Sequence, residues 1–387
     1  MIARAAEALL LEYADGFPVV AVFGPRQSGK TTLTRALFPD RPYLSLENLD
    51  TREFAMSDPR GFLAQYRNGA IFDEIQNVPT LLSYLQQVVD ESSTLGRFII
   101  TGSQQYNIRQ DISQSLAGRV GAVTLLPFSS AELKSADRLP DTLNELLYQG
   151  HYPPIHDRPV SPTAWHENYV ASYIERDVRQ LVAVRDLSVF QTFLRLCAGR
   201  TGQVLNLSAL GDDAGVSHNT ARAWLSVLEA GFVVHLLQPY HRSFNKRLIK
   251  SPKLYFHDVG LAAYLLSIRN ADDLVAHPLR GALFESAMVS EFVKALHNSR
   301  DSGSLAYWRE RRGDEVDLII ERGGTATAVE MKSGSTVTRD MLRGIRRWSD
   351  VAGKTASIPV LVYGGDTSQN RTDVTIRPWH SPVPGHA

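Results

Sequence analysis

Short apolar runs alternate with amphipathic stretches through the first third of the chain. The run Phe17 to Phe23 (FPVVAVF) is continuous and is followed by TLTRALF, whose apolar positions have helical spacing. Pro42 to Glu47 (PYLSLE), Gly69 to Gln76 (GAIFDEIQ), Arg97 to Ser103 (RFIITGS) and the stretch GAVTLLPF after Val120 read as further strands. Between them Leu81 to Val89 (LLSYLQQVV) has the i, i+3, i+4 pattern of a core-packing helix. About five strands alternating with helices predict an α/β domain with a parallel sheet covered on both faces.

The pattern changes after Asp137, where prolines and acids interrupt it up to Pro162. Tyr169 to Leu181 (YVASYIERDVRQL) reads as a helix of mixed charge, suited to a lid, with Arg176 on a solvated face. Leu205 to Leu228 then reads as two helices broken at Gly215. Ser217 stands at an N-cap position, and Ala221, Trp224, Leu225 and Leu228 share one face. Two strand-like runs, GFVVHLLQPY and KLYFHDV, follow with a hairpin between them, which completes a winged helix-turn-helix. Last come an amphipathic helix (Gly281 to His297), three strand-like runs (SLAYWRE, EVDLIIER, TATAVEMKSG), a further helix and a closing strand (IPVLVYGG). The expected domains are 1–185 (ATPase and helical lid), 186–270 (winged helix) and 271–376 (a second α/β unit), with 377–387 as a disordered tail.

The 387 residues are too many for one core, in keeping with that division. Formal net charge is zero, so any nucleic-acid surface must be a local patch. The single cysteine, Cys197, lies in an apolar context and reads as a small buried hydrophobe in a reducing compartment. No run reaches the ~18 apolar residues of a membrane span, and the N-terminus carries early acids, so a cytoplasmic location is expected.

Chemistry concentrates first at Gly24 to Thr32 (GPRQSGKTT). Gly24, Gly29, Lys30 and Thr31 match G-x-x-x-x-G-K-[ST], between a strand and a helix, where the motif means a phosphate-binding loop. Loop N–H groups from Gly24, Pro25, Arg26, Gln27, Ser28 and Gly29 onward can turn around a polyphosphate, less the one that proline lacks. Lys30 would reach the terminal phosphates of ATP, while Thr31, followed by Thr32, would hold Mg²⁺. A buried strand ending in Asp73 and Glu74 supplies the complement, Asp73 for the metal and Glu74 for the attacking water. Ser103, or alternatively Gln104, ends the strand where nucleotide hydrolases with an added central strand sense the terminal phosphate. Arg119, just before the last strand, reads either as a surface charge or as an arginine finger for a neighbouring subunit.

Two further sets stand out. His218, Asn219 and Arg222 lie off the apolar face of the second helix of the helix-turn-helix. The segment His241 to Lys253 carries Arg242, Lys246, Arg247, Lys250 and Lys253 and no acid, an electrostatic footprint for a phosphate backbone. Glu285, Asp317, Glu330 and Lys332 form the second set. Glu330 and Lys332 alternate along a strand and so share a face. Carboxylates on a helix and two strands beside a lysine are what a Mg²⁺-dependent nuclease uses. A degenerate nuclease fold is the alternative.

Taken together, GPRQSGKTTL, IFDEIQ, ITGSQ, SLAGRV before LLPFS, GHYPP, YIERDVRQL, SPKLYFHDVGLAAYLL, GALFE, YWRERRGDEVDLIIE and AVEMKSG resemble the bacterial and archaeal AAA-type ATPases (AAA domain family 14) fused to a C-terminal domain of unknown function, number 4143. The resemblance spans nearly the whole chain. It implies an AAA+ P-loop domain, a winged helix and a restriction-endonuclease-like domain. It also implies assembly into a ring, a hexamer being favoured, with ATP at subunit interfaces, which gives Arg119 its meaning as a finger. The usual lid arginine has no clear counterpart here. The leading expectation is an ATPase that remodels or translocates duplex or branched DNA. The alternatives are an ATP-regulated DNA nuclease, for instance in defence, and a nucleotide switch that binds protein partners.

Overall fold

In the computed structural model the described residues are 2–383, less 93, 104–114, 175–186, 241–250, 301–302 and 311–312. Gln104, Arg176, Arg242, Lys246, Arg247 and Lys250 therefore lie outside the described residues. The chain divides into two compact units. The first comprises Met1–Phe128 with Ala230–Phe232 and His297–Arg300, and the second comprises the remainder.

The first unit is built on a parallel sheet of β1 (Val19–Phe23), β2 (Tyr43–Ser45), β3 (Ala70–Asp73), β4 (Phe98–Gly102) and β5 (Val120–Thr124), in the order β2-β3-β4-β1-β5. β4 is inserted between β1 and β3, so the sheet has the added central strand on which the reading of Ser103 depends. β1, β3 and β4 are buried at every position, which is why they read as unbroken apolar runs rather than alternating ones. Before β1 runs α1 (Glu7–Gly16), and α2 (Lys30–Leu37) follows it. Leu10 of α1 and Leu33 of α2 pack with Val20, Val22, Ile71, Ile99 and Val123 of the sheet. The helices α3 (Leu49–Ser57), α4 (Pro59–Ala64) and α5 (Leu81–Asp90) complete the unit. Because the strands are parallel, the C-terminal ends of β1, β3 and β4 share one edge of the sheet. Gly24, Asp73 and Ser103 all follow that edge.

The second unit opens with four short helices, α6 (Ser130–Ser135), α7 (Leu143–Gln149), α8 (Pro153–Asp157) and α9 (Pro162–Tyr169). Next come α10 (Leu187–Ala198), β6 (Gln203–Val204), α11 (Leu207–Ala214), α12 (His218–Ala230), β7 (Val234–Leu237), β8 (Lys253–Phe256) and α13 (Val259–Leu265). The three strands form a small antiparallel sheet in the order β6-β8-β7. Gly215 takes φ 71° to end α11, and Ser217 Oγ accepts a hydrogen bond from Thr220 N at 3.1 Å, starting α12. Cys197 is buried, and burial pushes its thiol pKa up, as a structural cysteine requires.

The rest of the unit is α14 (Arg280–His297) and a six-stranded mixed sheet with α15 (Arg343–Ala352) against it. The strands are β9 (Ser304–Arg309), β10 (Glu315–Arg322), β11 (Thr325–Lys332), β12 (Val360–Tyr363), β13 (Gln369–Asn370) and β14 (Thr375–Pro378), in the order β13-β14-β12-β11-β10-β9. β9, β10 and β11 are antiparallel neighbours, whereas β11, β12 and β14 are parallel. Trp308 and Trp348 meet edge to face at 5.5 Å within a core that includes Ile319, Leu361 and Ile376. The expected disordered tail begins too early. Arg377 and Pro378 belong to β14. Trp379 is buried and donates from Nε1 to Asp366 Oδ1 at 3.0 Å, so the edge strand and the indole anchor hold this stretch.

Candidate functional site

The loop between β1 and α2 is tightly specified by backbone geometry. Gly24 approaches the chain after β5 so closely that a Cβ there would lie 2.0 Å from Leu125 O. Gly29, the residue before α2, takes φ 95°, which glycine adopts without strain. Arg4 supports the loop from outside. It is buried, its Nη1 donates to Ser28 O at 2.8 Å, its Nη2 donates to Leu126 O at 2.6 Å, and its guanidinium lies 4.8 Å from the Phe128 ring centre. The Lys30 ammonium donates to two carbonyls of its own loop, Gly24 O at 3.0 Å and Pro25 O at 2.8 Å. Burial pulls its pKa below the usual lysine range, although Glu74 and Asp73 act the other way.

Asp73 is where three elements converge. Thr31 Oγ1 donates to Asp73 Oδ1 at 3.0 Å, Tyr43 OH donates to Oδ2 at 2.7 Å, and Thr101 Oγ1 also donates to Oδ1. The Thr31 hydroxyl and the Asp73 carboxylate are thus adjacent oxygen donors at the start of α2, a pair that fits Mg²⁺. Glu74 leaves β3 with φ 58° and ψ 52°, a left-handed conformation uncommon for a side chain of its size. Its backbone N–H is held by Thr101 Oγ1 at 3.2 Å. Its carboxylate accepts from Ser103 Oγ at 2.8 Å and from Gln76 Nε2, which donates to Ser103 Oγ as well, at 3.0 Å. Burial pushes the Glu74 pKa up, but Lys30, Arg26 and the two hydrogen bonds outweigh it, and the net shift is downward.

Lys30, Thr31, Asp73, Glu74 and Ser103 are therefore brought together. Arg119 is not. It precedes Val120, which pairs with Val19 at the start of β1, so the length of the sheet separates it from the loop. At ~3.3 Å per residue, that is about 13 Å along β5 alone. Arg119 pairs with Asp90 at the end of α5, donating to its Oδ2 from Nη2 at 2.9 Å. Arg4, Tyr43, Gln76 and Thr101 were not singled out in the sequence. A Thr in the apolar run FIITG, next to the expected sensor strand end, was the one available signal.

The second set also converges, joined by three side chains not expected there, Lys253, Tyr255 and Glu315. Asp317 on β10 accepts from Met331 N of β11 at 2.8 Å. Lys332 Nζ lies 2.5 Å from Glu330 Oε1 and 3.8 Å from Asp317 Oδ2. Glu285 on α14 accepts from Tyr255 OH at 2.5 Å and from Lys253 Nζ at 2.8 Å. Lys253, read from sequence as part of a basic hairpin, is 2% exposed and sits among acids, in contact with Glu315 and 4.0 Å from Asp317 Oδ1. Burial opposes its charge, but Glu285, Asp317 and Glu315 more than compensate and hold its pKa well above the usual lysine range. Burial and the neighbouring Asp317 raise Glu285 to about 7 and Glu330 to about 8, while Lys253 and Lys332 respectively resist the shift. Glu330 Oε2 is buried without a hydrogen-bond partner. Of the expected DNA contacts, His218, Asn219 and Arg222 are exposed on α12.

A P-loop, a strand ending Asp-Glu and an inserted central strand define a P-loop ATPase domain. The chain belongs to the family that joins an AAA domain to the domain of unknown function DUF4143. The AAA domain matches residues 16–134 and DUF4143 matches 280–381, with a further domain of unknown function, DUF8612, at 140–272 between them. An uncharacterized protein of Mycobacterium tuberculosis, Rv2008c, is 30% identical over 343 residues, 87% of this chain and 76% of that protein. The uncharacterized protein Mb2031c of Mycobacterium bovis matches to the same extent. Among solved structures, the Walker-type ATPase PABY2304 of Pyrococcus abyssi overlaps 68% of this chain and 96% of its own at 16% identity and TM-score 0.44. A single-substitution variant of RuvB from Thermotoga maritima overlaps 59% and 87% at 18% identity and TM-score 0.30. Among the described residues no helix is long and apolar enough to cross a membrane.

Proposed function

We propose that the chain hydrolyses ATP in a ring of like subunits, with a hexamer favoured, and uses the cycle to remodel or translocate duplex or branched DNA. The observation that carries the ATPase part is the convergence of Lys30, Thr31, Asp73, Glu74 and Ser103 on one edge of the sheet. In this reading the triphosphate takes the Lys30 ammonium from the carbonyls of Gly24 and Pro25. Thr31 and Asp73 hold Mg²⁺, which neutralises charge on the phosphates when bound. Ser103 turns from Glu74 to the terminal phosphate, and Glu74, kept ionised by its surroundings, orients the attacking water or takes its proton. Arg119 acts on ATP of a neighbouring subunit, since the sheet separates it from the loop of its own chain.

The DNA part is supported by the order of α10, β6, α11, α12, β7 and β8, which is that of a winged helix, by exposed His218, Asn219 and Arg222 on α12, and by the basic residues of 241–250. The test is steady-state ATPase rate with no DNA and with single-stranded, duplex and four-way-junction DNA, Lys30→Ala serving as the blank. Stimulation by one DNA form supports the reading and names its substrate. An active ATPase that no DNA stimulates overturns the DNA part and leaves a switch for protein partners.

A further inference from the structure

With a degenerate nuclease fold as the alternative, the acids of the second unit were read as a candidate Mg²⁺ site for DNA cleavage. Their surroundings do not suit it. A divalent ion needs several oxygens converging on an open position. Here the interior of the cluster is taken by two ammonium groups. Lys332 Nζ bridges Glu330 at 2.5 Å and Asp317 at 3.8 Å. Lys253 Nζ, reaching in from β8, bridges Glu285 at 2.8 Å, Glu315, and Asp317 at 4.0 Å. Arg309 Nε adds a third cation 3.3 Å from Glu315 Oε2. Four carboxylates therefore face three cations, of which Lys253 alone is buried. Among the described residues, no group of three His, Cys, Asp or Glu side chains is arranged to hold a metal ion.

Lys332 alone would be compatible with a metal, since a nuclease keeps one lysine beside its carboxylates to position water. Lys253 is the difference. It touches carboxylates from both α14 and β10, and at 2% exposure it cannot swing into solvent without displacing β8, the central strand of the small sheet. Tyr255, two residues further along the same strand, donates at 2.5 Å to Glu285 Oε1, the same oxygen that Lys253 contacts.

We infer that the ammonium of Lys253 fills the cation position of this acid cluster, so that the cluster binds no divalent metal and the unit does not cut DNA. The inference is independent of the ATPase reading.

Two experiments on the full-length, nucleotide-free protein test it. In the first, Mn²⁺ is titrated into wild type and Glu330→Gln, and free Mn²⁺ is followed by electron paramagnetic resonance, with supercoiled plasmid incubated in parallel. The two proteins are expected to bind the same number of Mn²⁺ ions and to leave the plasmid intact. An ion bound by wild type and lost in Glu330→Gln overturns the inference, as does nicking lost in Lys332→Ala. In the second, Lys253→Met keeps the length of the side chain without its charge. It is expected to bind one Mn²⁺ more than wild type, because the competing cation is gone. A folded Lys253→Met protein that gains no Mn²⁺ overturns the role given to Lys253. If that variant does not fold, the first experiment still decides.

Discussion

At the scale of single residues, the two lysines that matter most differ in what surrounds them. Lys30 donates to carbonyls of a loop and can exchange them for phosphate, whereas Lys253 is enclosed by carboxylates. Arg4 belongs with Lys30. Replacing it with Met removes two charge-assisted hydrogen bonds to loop carbonyls, each typically worth ~1.5–3 kcal/mol. Nucleotide affinity should fall by about tenfold or more, read by titration of a fluorescent ATP analogue, while secondary structure by circular dichroism stays unchanged. Glu330 gives a prediction about pH. Its pKa is raised from 4.5 to about 8, so the folded chain holds a proton that the unfolded chain has released over that interval. The contribution is fully present below the unfolded value and is lost as pH rises through the folded one. Urea unfolding across that range should show wild type losing more stability with rising pH than Glu330→Gln. The phosphate loop was legible because its chemistry demands fixed spacing. Arg4 was not, since it stands 24 residues before Ser28 and recognises backbone carbonyls, which every residue carries.

At the scale of elements, β1, β3 and β4 were legible because full burial makes apolar runs continuous, and their ends fall where polar residues begin. Lys253 was misread for the opposite reason. Its sign matches its neighbours in sequence, but its counter-charges arrive 32 to 64 residues later, on α14 and β10. A similar long-range junction joins GHYPP to HDVGL. Asp258 caps α13 by accepting from Leu261 N at 3.0 Å and also accepts from His151 N at 2.7 Å. There is no room for a side chain at Gly150, where a Cβ would lie 2.3 Å from Asp258 Oδ1. Asp258→Ala removes a buried cap and strands a buried N–H. A loss of about 2–4 kcal/mol is expected in urea unfolding of the full chain. A loss below about 1 kcal/mol would show that the junction is not what holds these segments.

For the whole molecule, the position of Arg119 leads to a mixing experiment. If it serves the neighbouring subunit, Lys30→Ala and Arg119→Ala damage opposite sides of one composite site. Each variant alone should be nearly inactive, and a mixture should regain part of the wild-type ATPase rate, because some interfaces then join an intact loop to an intact finger. No recovery in a mixture shown to co-assemble would place Arg119 outside the site.

The enclosure of Lys253 also bears on how the protein is made. Synthesis delivers β8 well before α14 and β10, so until those residues leave the ribosome the lysine has no acids to meet. A chain stopped near residue 275 would have to bury an uncompensated ammonium or leave its small sheet unformed, and the loss of buried partners typically costs ~3–5 kcal/mol. The stretch that looks like a self-contained module in the sequence therefore cannot complete its packing until α14 and β10 have been made.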